Sequence, residues 1–314
     1  MKKVSATAIA GLALAFAGAP PHAHAAPPQL KWPPPPLVNP VTVTVAPGNF
    51  AHWCQHNEDV KLVWPAGKHV GSVTIAACHN VVSIAGWTTV PATADTSNSA
   101  PSRAFYVDQD TGTVHIEGLL VDSSGGAMED VIDINAPLAT VQIENVRAER
   151  IYGFNDQFHA DCVQPFGGVK ALRIYSFTCR TAYQGLSIGP MPGTPPGWTA
   201  DIENTNIVLV DAPIYGAHNN GGYLFWPCAD SACAGLARTV LSQVWLQPRP
   251  GQPPASTVWA GGFVSVNSQF AHPYINFAAL PIDGHVTVGT PPGGDFVPVG
   301  VAGLGYVSPG YAAP

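Results

Sequence analysis

Charge is scarce in this chain. Asp, Glu, Lys and Arg make up 11% of its 314 residues, against roughly a quarter in an ordinary soluble protein. Basic residues number thirteen and the formal net charge is -7. No general affinity for nucleic acid or an anionic membrane is therefore expected. Long apolar runs are missing as well: beyond the amino terminus nothing approaches the roughly 18 residues of a membrane helix. Long helices are disfavoured too, since Gly and Pro number 32 each and both interrupt them. Many short strands joined by turns remain.

The amino terminus reads as a secretory signal over residues 1–25. Lys2 and Lys3 form a positive region, Thr7 to Ala17 an apolar one, and Ala23-His24-Ala25 a small-residue cleavage site. Its removal takes the net charge to -9. The expected product is secreted, extracellular or periplasmic. Residues 26–50, with Trp32-Pro33-Pro34-Pro35-Pro36, read as a Pro-rich arm lying along the body. Six cysteines in an exported chain imply disulfides rather than a metal centre. Proximity along the chain favours Cys54–Cys78, Cys162–Cys179 and Cys228–Cys233.

What the chain does have is a phrase that returns six times: an aliphatic residue, a polar step, then a small or amide residue. It reads Ile84-Ala85-Gly86, Ile116-Glu117-Gly118, Ile143-Glu144-Asn145, Ile174-Tyr175-Ser176, Ile202-Glu203-Asn204 and Leu241-Ser242-Gln243, at spacings of 32, 27, 31, 28 and 39 residues. A short strand recurring at such a period is the mark of a solenoid, whose units bury their apolar faces against one another. Alternation places Val60 and Leu62, Val73 and Ile75, and Val82 and Ile84 inward, three short strands to a coil. The stretch from Val60 to Gly86 resembles the opening coil of right-handed parallel β-helix proteins of the pectin-lyase-like superfamily. The likeness covers about residues 58–245 as a coil pattern. It implies an all-β, single-stranded right-handed parallel β-helix of about eight coils, over residues 51–290, with lateral loops and a Gly/Pro-rich tail over 291–314. The N-T-D, D-D, G-H-G and R-I-K motifs of the superfamily's polygalacturonases are absent, as are its pectate-lyase signatures.

A second series, Asp130-Val131-Ile132-Asp133, Asp161-Cys162-Val163-Gln164, Gln184-Gly185-Leu186-Ser187 and Gly222-Tyr223-Leu224-Phe225, should stack Ile132, Val163, Leu186 and Leu224 as an interior column. Further coils are expected at Phe263–Val266 and His285–Val288. Longer loops are expected at Pro91–Arg103, Tyr152–Phe158, Met191–Trp198 and Ala212–Asn220, and binding sites on solenoids lie between such loops.

Strands stand about 4.7–4.9 Å apart, so Asp133, Gln164 and Ser187 should form one outward column, with Asp130, Asp161 and Gln184 a second and His159 beside it. Five of the eleven basic residues of the mature chain, among them Lys170, Arg173 and Arg180, fall between positions 147 and 180, along with Tyr175 and Tyr183. Carboxylates, cations and exposed aromatics together suit an extracellular sugar polymer. Hydrolysis would use two carboxyl groups about 5–5.5 Å or roughly 6.5–9.5 Å apart. A β-elimination would use a base such as His159, Lys170 or Arg173 and a positive group, or Ca²⁺ held by carboxylates. The expected catalytic set is His159, Asp161, Asp130, Asp133 and Arg173. Gln164, Arg180, Lys170, Tyr175, Tyr183 and Ser187 would bind substrate. No metal site or other cofactor is expected, and the chain is read as a monomer. The plainer reading makes Asp130 and Asp161 turn caps and Asn145 and Asn204 structural amides, and leaves a glycan-binding or adhesion protein. His115 is expected at the surface. His52, His56, His69 and His79 lack ligand spacing.

Overall fold

Twenty strands and one 3-10 helix (Pro254–Thr257) form the regular structure of the residues that the computed structural model describes: 30–90, 103–123, 127–153, 158–189, 194–211, 221–228, 235–236, 238–259 and 263–311. In chain order the strands are β1 (Val41–Thr44), β2 (Phe50–Trp53), β3 (Val60–Val63), β4 (His69–Val70), β5 (Val73–Ala76), β6 (Val81–Ile84), β7 (Trp87–Thr89), β8 (Phe105–Asp108), β9 (Thr113–Glu117) and β10 (Leu120–Asp122). There follow β11 (Ile132–Ile151), β12 (Val163–Thr181), β13 (Leu186–Ser187), β14 (Thr199–Leu209), β15 (Phe225–Trp226), β16 (Arg238–Gln247), β17 (Val264–Asn267), β18 (Tyr274–Phe277), β19 (Ile282–Asp283) and β20 (His285–Val288).

Parallel pairing dominates, and it sorts the strands into three ladders that each coil visits in turn. The first ladder runs β2, β5, β8, the start of β11, the start of β12, β13, β15 and a bridge at Val258. The middle ladder runs β1, β3, β6, β9, β11, β12, β14, β16 and β19. The last runs β4, β7, β10, then the ends of β11, β12, β14 and β16, then β20. The coils are β2–β4, β5–β7, β8–β10, β11, β12, β13–β14, β15–β16 and the Val258 bridge with β19–β20. The chain is thus an all-β, solenoid-like stack.

Side chains from each coil pile on those of the next. Ile116, Ile143, Ile174, Ile202 and Leu241 are successive register partners in the middle ladder. The four isoleucines are fully buried; each such side chain removed from water contributes about 1.5–3 kcal/mol. In the first ladder Phe50, Val73, Phe105, Ile132, Val163, Leu186, Phe225 and Val258 form the corresponding column. In five of its six occurrences the recurring phrase ends on one special corner, and in the first, shifted by one residue, Ala85 takes that place. Ala85, Gly118, Asn145, Ser176, Asn204 and Gln243 all have positive φ, between 49° and 68°, where the middle ladder turns into the last. Gly and Asn tolerate that conformation best, hence the small or amide residue there.

Two register expectations need correction. Ile84 opposes Glu117, and Ser83 takes the place level with Ile116. The Trp64 indole N–H donates to Ser83 Oγ at 3.0 Å, so a hydroxyl and a borrowed ring occupy the space of an isoleucine. Phe225, not Leu224, continues the column above Leu186. The 39-residue step from Leu186 to Phe225 matches that from Ile202 to Leu241.

The ends are treated differently from what the pattern suggests. His285–Val288 joins the last ladder, whereas Val264–Asn267 forms an antiparallel hairpin with β18, which pairs with β20. The hairpin covers an edge that would otherwise present unpaired strand groups. The tail runs along the side of the stack. Asp295 meets Arg147 at 2.9 Å and Arg180 at 3.4 Å, and accepts from Asn206 Nδ2 at 2.9 Å. Tyr306 donates to Glu117 at 2.6 Å and its ring lies where a Cβ on Gly118 would sit, 2.2 Å away. The amino-terminal arm lies against the middle ladder.

Cys54–Cys78 and Cys162–Cys179 are disulfide-bonded. Cys228 is also disulfide-bonded; Cys233 lies outside the described residues, as do the signal segment and most of the four long loops. Among the described residues no helix is long and apolar enough to cross a membrane.

Candidate functional site

The first ladder brings together the three aspartates singled out by the sequence. Asp133 follows the buried Ile132 and faces outward, in register with Tyr106 on the coil before and Gln164 on the coil after. Asp130 and Asp161 stand at the entries of β11 and β12. The Asp161 backbone N–H donates to Asp130 Oδ1 at 3.2 Å, and the Val131 N–H donates to the Asp161 carbonyl at 2.9 Å. The three residues are 3%, 1% and 0% exposed for Asp130, Asp133 and Asp161.

Among the described residues one cation serves this cluster, and it is a residue the sequence reading passed over. Arg103, just before β8, pairs with Asp133, meets Glu129 at 3.2 Å and lies 3.9 Å from Asp130. Its guanidinium also sits 5.2 Å from the Tyr106 ring centroid. The available signal was the step length: Tyr106 precedes Asp133 by 27 residues, as Ile116 precedes Ile143.

The three carboxyl groups therefore differ in how tightly they hold a proton. Asp161 is fully buried, and among the described residues neither carboxyl oxygen has a hydrogen-bond partner. A charge in that state is prohibitively costly, so the group is kept neutral. Burial, with the Asp133 charge adding to it, pushes its proton affinity well above the carboxylate range. Asp130 moves the same way, through burial first and its acidic neighbours second. Asp133 is raised by burial only to about 6, because Arg103 favours its charged form. Two neutral acids thus stand beside one carboxylate that is largely ionised at neutral pH.

The remaining expected site residues separate by ladder. Gln164 is half-buried next to Asp133 in the stack, Ser187 is buried one coil on, and the exposed His159 stacks on the buried Tyr183 at 5.6 Å. Arg173 and Tyr175 lie on the middle ladder, beneath the arm: Arg173 is 5.7 Å from the Trp32 ring and Tyr175 6.5 Å from it. Arg180 belongs to the last ladder, where it meets Asp295 and Glu149. Lys170 is exposed at the turn between the first and middle ladders. No single face gathers them all.

His115 does point away from the interior but is not at the surface. It is fully buried, with Nδ1 2.8 Å from Gln142 Oε1 and Nε2 2.9 Å from Glu117 Oε2. Tyr306 and Ser308 of the tail also bond Glu117 and help close over it. Asn145 donates to the Tyr306 hydroxyl at 2.8 Å, a structural use.

Among the described residues, the one group of His, Cys, Asp and Glu side chains close enough to share an ion is His52 with Cys54 and Cys78. Those sulfurs are already bonded to each other, so they offer no thiolates. A hollow of about 430 Å³ under the tail is walled by Trp64, Tyr306, Tyr311 and Lys61 but lined by no acid. The three clustered aspartates lie on the first ladder, away from this hollow. No protein family, curated protein or solved structure matches the chain.

Proposed function

We propose that this is an exported right-handed parallel β-helix protein, similar to the pectin-lyase-like superfamily, that binds and cleaves an extracellular polysaccharide. The observation that carries the reading is the cluster of Asp130, Asp133 and Asp161 on adjacent coils, with Arg103 paired to Asp133, a setting that raises the proton affinity of Asp130 and Asp161 well above that of Asp133. A right-handed winding is the hand that about 98% of parallel crossovers adopt. The disulfides fit an oxidising compartment.

Glycoside hydrolysis needs such a pair. A neutral carboxyl, Asp161 or Asp130, gives its proton to the glycosidic oxygen, and Asp133 takes a proton from water or attacks the sugar carbon itself. Arg103 holds Asp133 in its charged form. Elimination is less well supported, because two of the bases it would use, Lys170 and Arg173, lie away from this cluster; His159, two residues before Asp161, is the base left to it, with Arg103 as the positive group. The burial of all three aspartates favours a second reading, a non-catalytic glycan-binding or adhesion protein in which the cluster only braces three coils. A panel of plant, algal and bacterial polysaccharides separates the two. New reducing ends on one polymer, without the ultraviolet absorbance of an unsaturated uronate, support hydrolysis; binding without new ends supports the second reading.

A further inference from the structure

The arm touches the body in the way a bound peptide touches a receptor. Successive N–H groups of Lys31 and Trp32 donate to the two oxygens of the Glu144 carboxylate, at 2.8 and 3.0 Å. The Lys31 ammonium reaches Asp201 at 3.1 Å and Glu203 at 2.7 Å. The Trp32 ring meets Tyr175 edge to face and receives cations on both accounts, Lys31 at 4.8 Å and Arg173 at 5.7 Å. Pro33 to Pro36 follow and have no N–H to give a strand edge, so side chains of the body hold this segment. The groove is built from three consecutive coils: Glu144, Tyr175 and Glu203 are register partners along the middle ladder.

The arm does not fill the groove. Beside Trp32 a hollow of about 290 Å³ extends between Leu172, Arg173, Asp201 and Arg238. The groove also holds charge that depends on the arm. Burial pushes Glu144 up to about 7, and the N–H groups of Lys31 and Trp32 work against that rise. The arm continues into β1 through Asn39 and Pro40, so it is tethered at one end.

We propose that the outer face of the middle ladder is a peptide-recognition groove for an extended Lys-Trp-Pro-Pro segment, occupied in this structure by the chain's own arm, which is a separable ligand and not an integral part of the fold. Carboxylates receive the lysine and two main-chain N–H groups; Tyr175 and Arg173 grip the indole; the prolines pre-set the extended form and lower the entropy of binding. This inference is independent of any polysaccharide chemistry on the first ladder.

The test uses the full mature chain and a fluorescein-labelled synthetic peptide of residues Leu30–Leu37, followed by anisotropy. In a chain carrying Lys31→Glu and Trp32→Ala the tethered arm is weakened, and the peptide should bind at least tenfold more tightly than to the unaltered chain. Adding Asp201→Lys and Glu203→Lys should remove that binding. A weakened-arm chain with an unchanged melting curve and no saturable binding overturns the proposal, as does equal binding by all three chains. Trypsin gives a reading that needs no variant. A separable arm is cut after Lys31 while the body keeps its melting temperature; cutting only in step with global unfolding makes the arm integral and refutes the claim.

Discussion

Asp133→Asn should lower the rate of cleavage on the responsive polysaccharide by about 10²–10⁴-fold, the usual contribution of a positioned acid or base. The amide keeps the shape of the side chain and removes its charge, so neither proton transfer nor attack on the sugar remains open to it. Asp161→Asn should cost a similar factor for the opposite reason: it removes a proton where the wild-type group already lacks charge. Because Asp161 is buried, holds its proton well above the carboxylate range and has no hydrogen-bond partner among the described residues, the amide should leave the melting temperature within a few degrees. The pairing of large kinetic loss with small thermal change distinguishes chemistry from scaffolding. Full activity in both variants would return the cluster to a purely structural role. The rate of the unaltered protein should climb through a midpoint near pH 6 as Asp133 ionises, and Asp133→Asn should lose that limb.

Converting Cys162 and Cys179 together to serine should lower stability by about 3 kcal/mol, the loop entropy expected for a 17-residue separation. That corresponds to a fall of about 5–10 °C in melting temperature for a chain of this size. Cys162 immediately precedes Val163 of the first ladder, while Cys179 sits in the last ladder between Ala148 and Ile207. The bond therefore crosses the interior of one coil and closes it. It also anchors the neighbour of Asp161, so opening it should loosen the cluster and reduce cleavage beyond the thermal effect. Differential scanning calorimetry of the double variant measures the first effect, and a change under 1 °C would mean that coil stacking alone holds the coil.

The stack was legible because hydrophobic side chains repeat at the step of the coils. Ile116, Ile143, Ile174 and Ile202 stand in the sequence as they stand in the ladder. The misreadings fall where two residues competed for one place. At Ser83 the inward position is polar because Trp64 fills the space from a neighbouring turn, and no local period reveals that. At Leu224 and Phe225 both neighbours are apolar and buried, so the pattern could not choose between them. The aspartates of the site were visible as strand-entry and outward positions. Arg103 was not, since it lies outside any strand and reaches three acids by folding back over Tyr106. What covers an outward residue was also hidden. Arg173 and Tyr175 look like open surface in sequence, yet Trp32, more than 140 residues earlier, lies upon them; His115 is closed over in the same way.

The distribution of protons among the three aspartates is the claim on which the chemistry rests, and it needs no substrate to test. Carboxyl resonances of ¹³C-labelled aspartate, assigned by single Asp→Asn variants, should show Asp130 and Asp161 still protonated across neutral pH while Asp133 titrates near 6. Three carboxyl groups that all ionise together in the ordinary range near 4 would contradict the account.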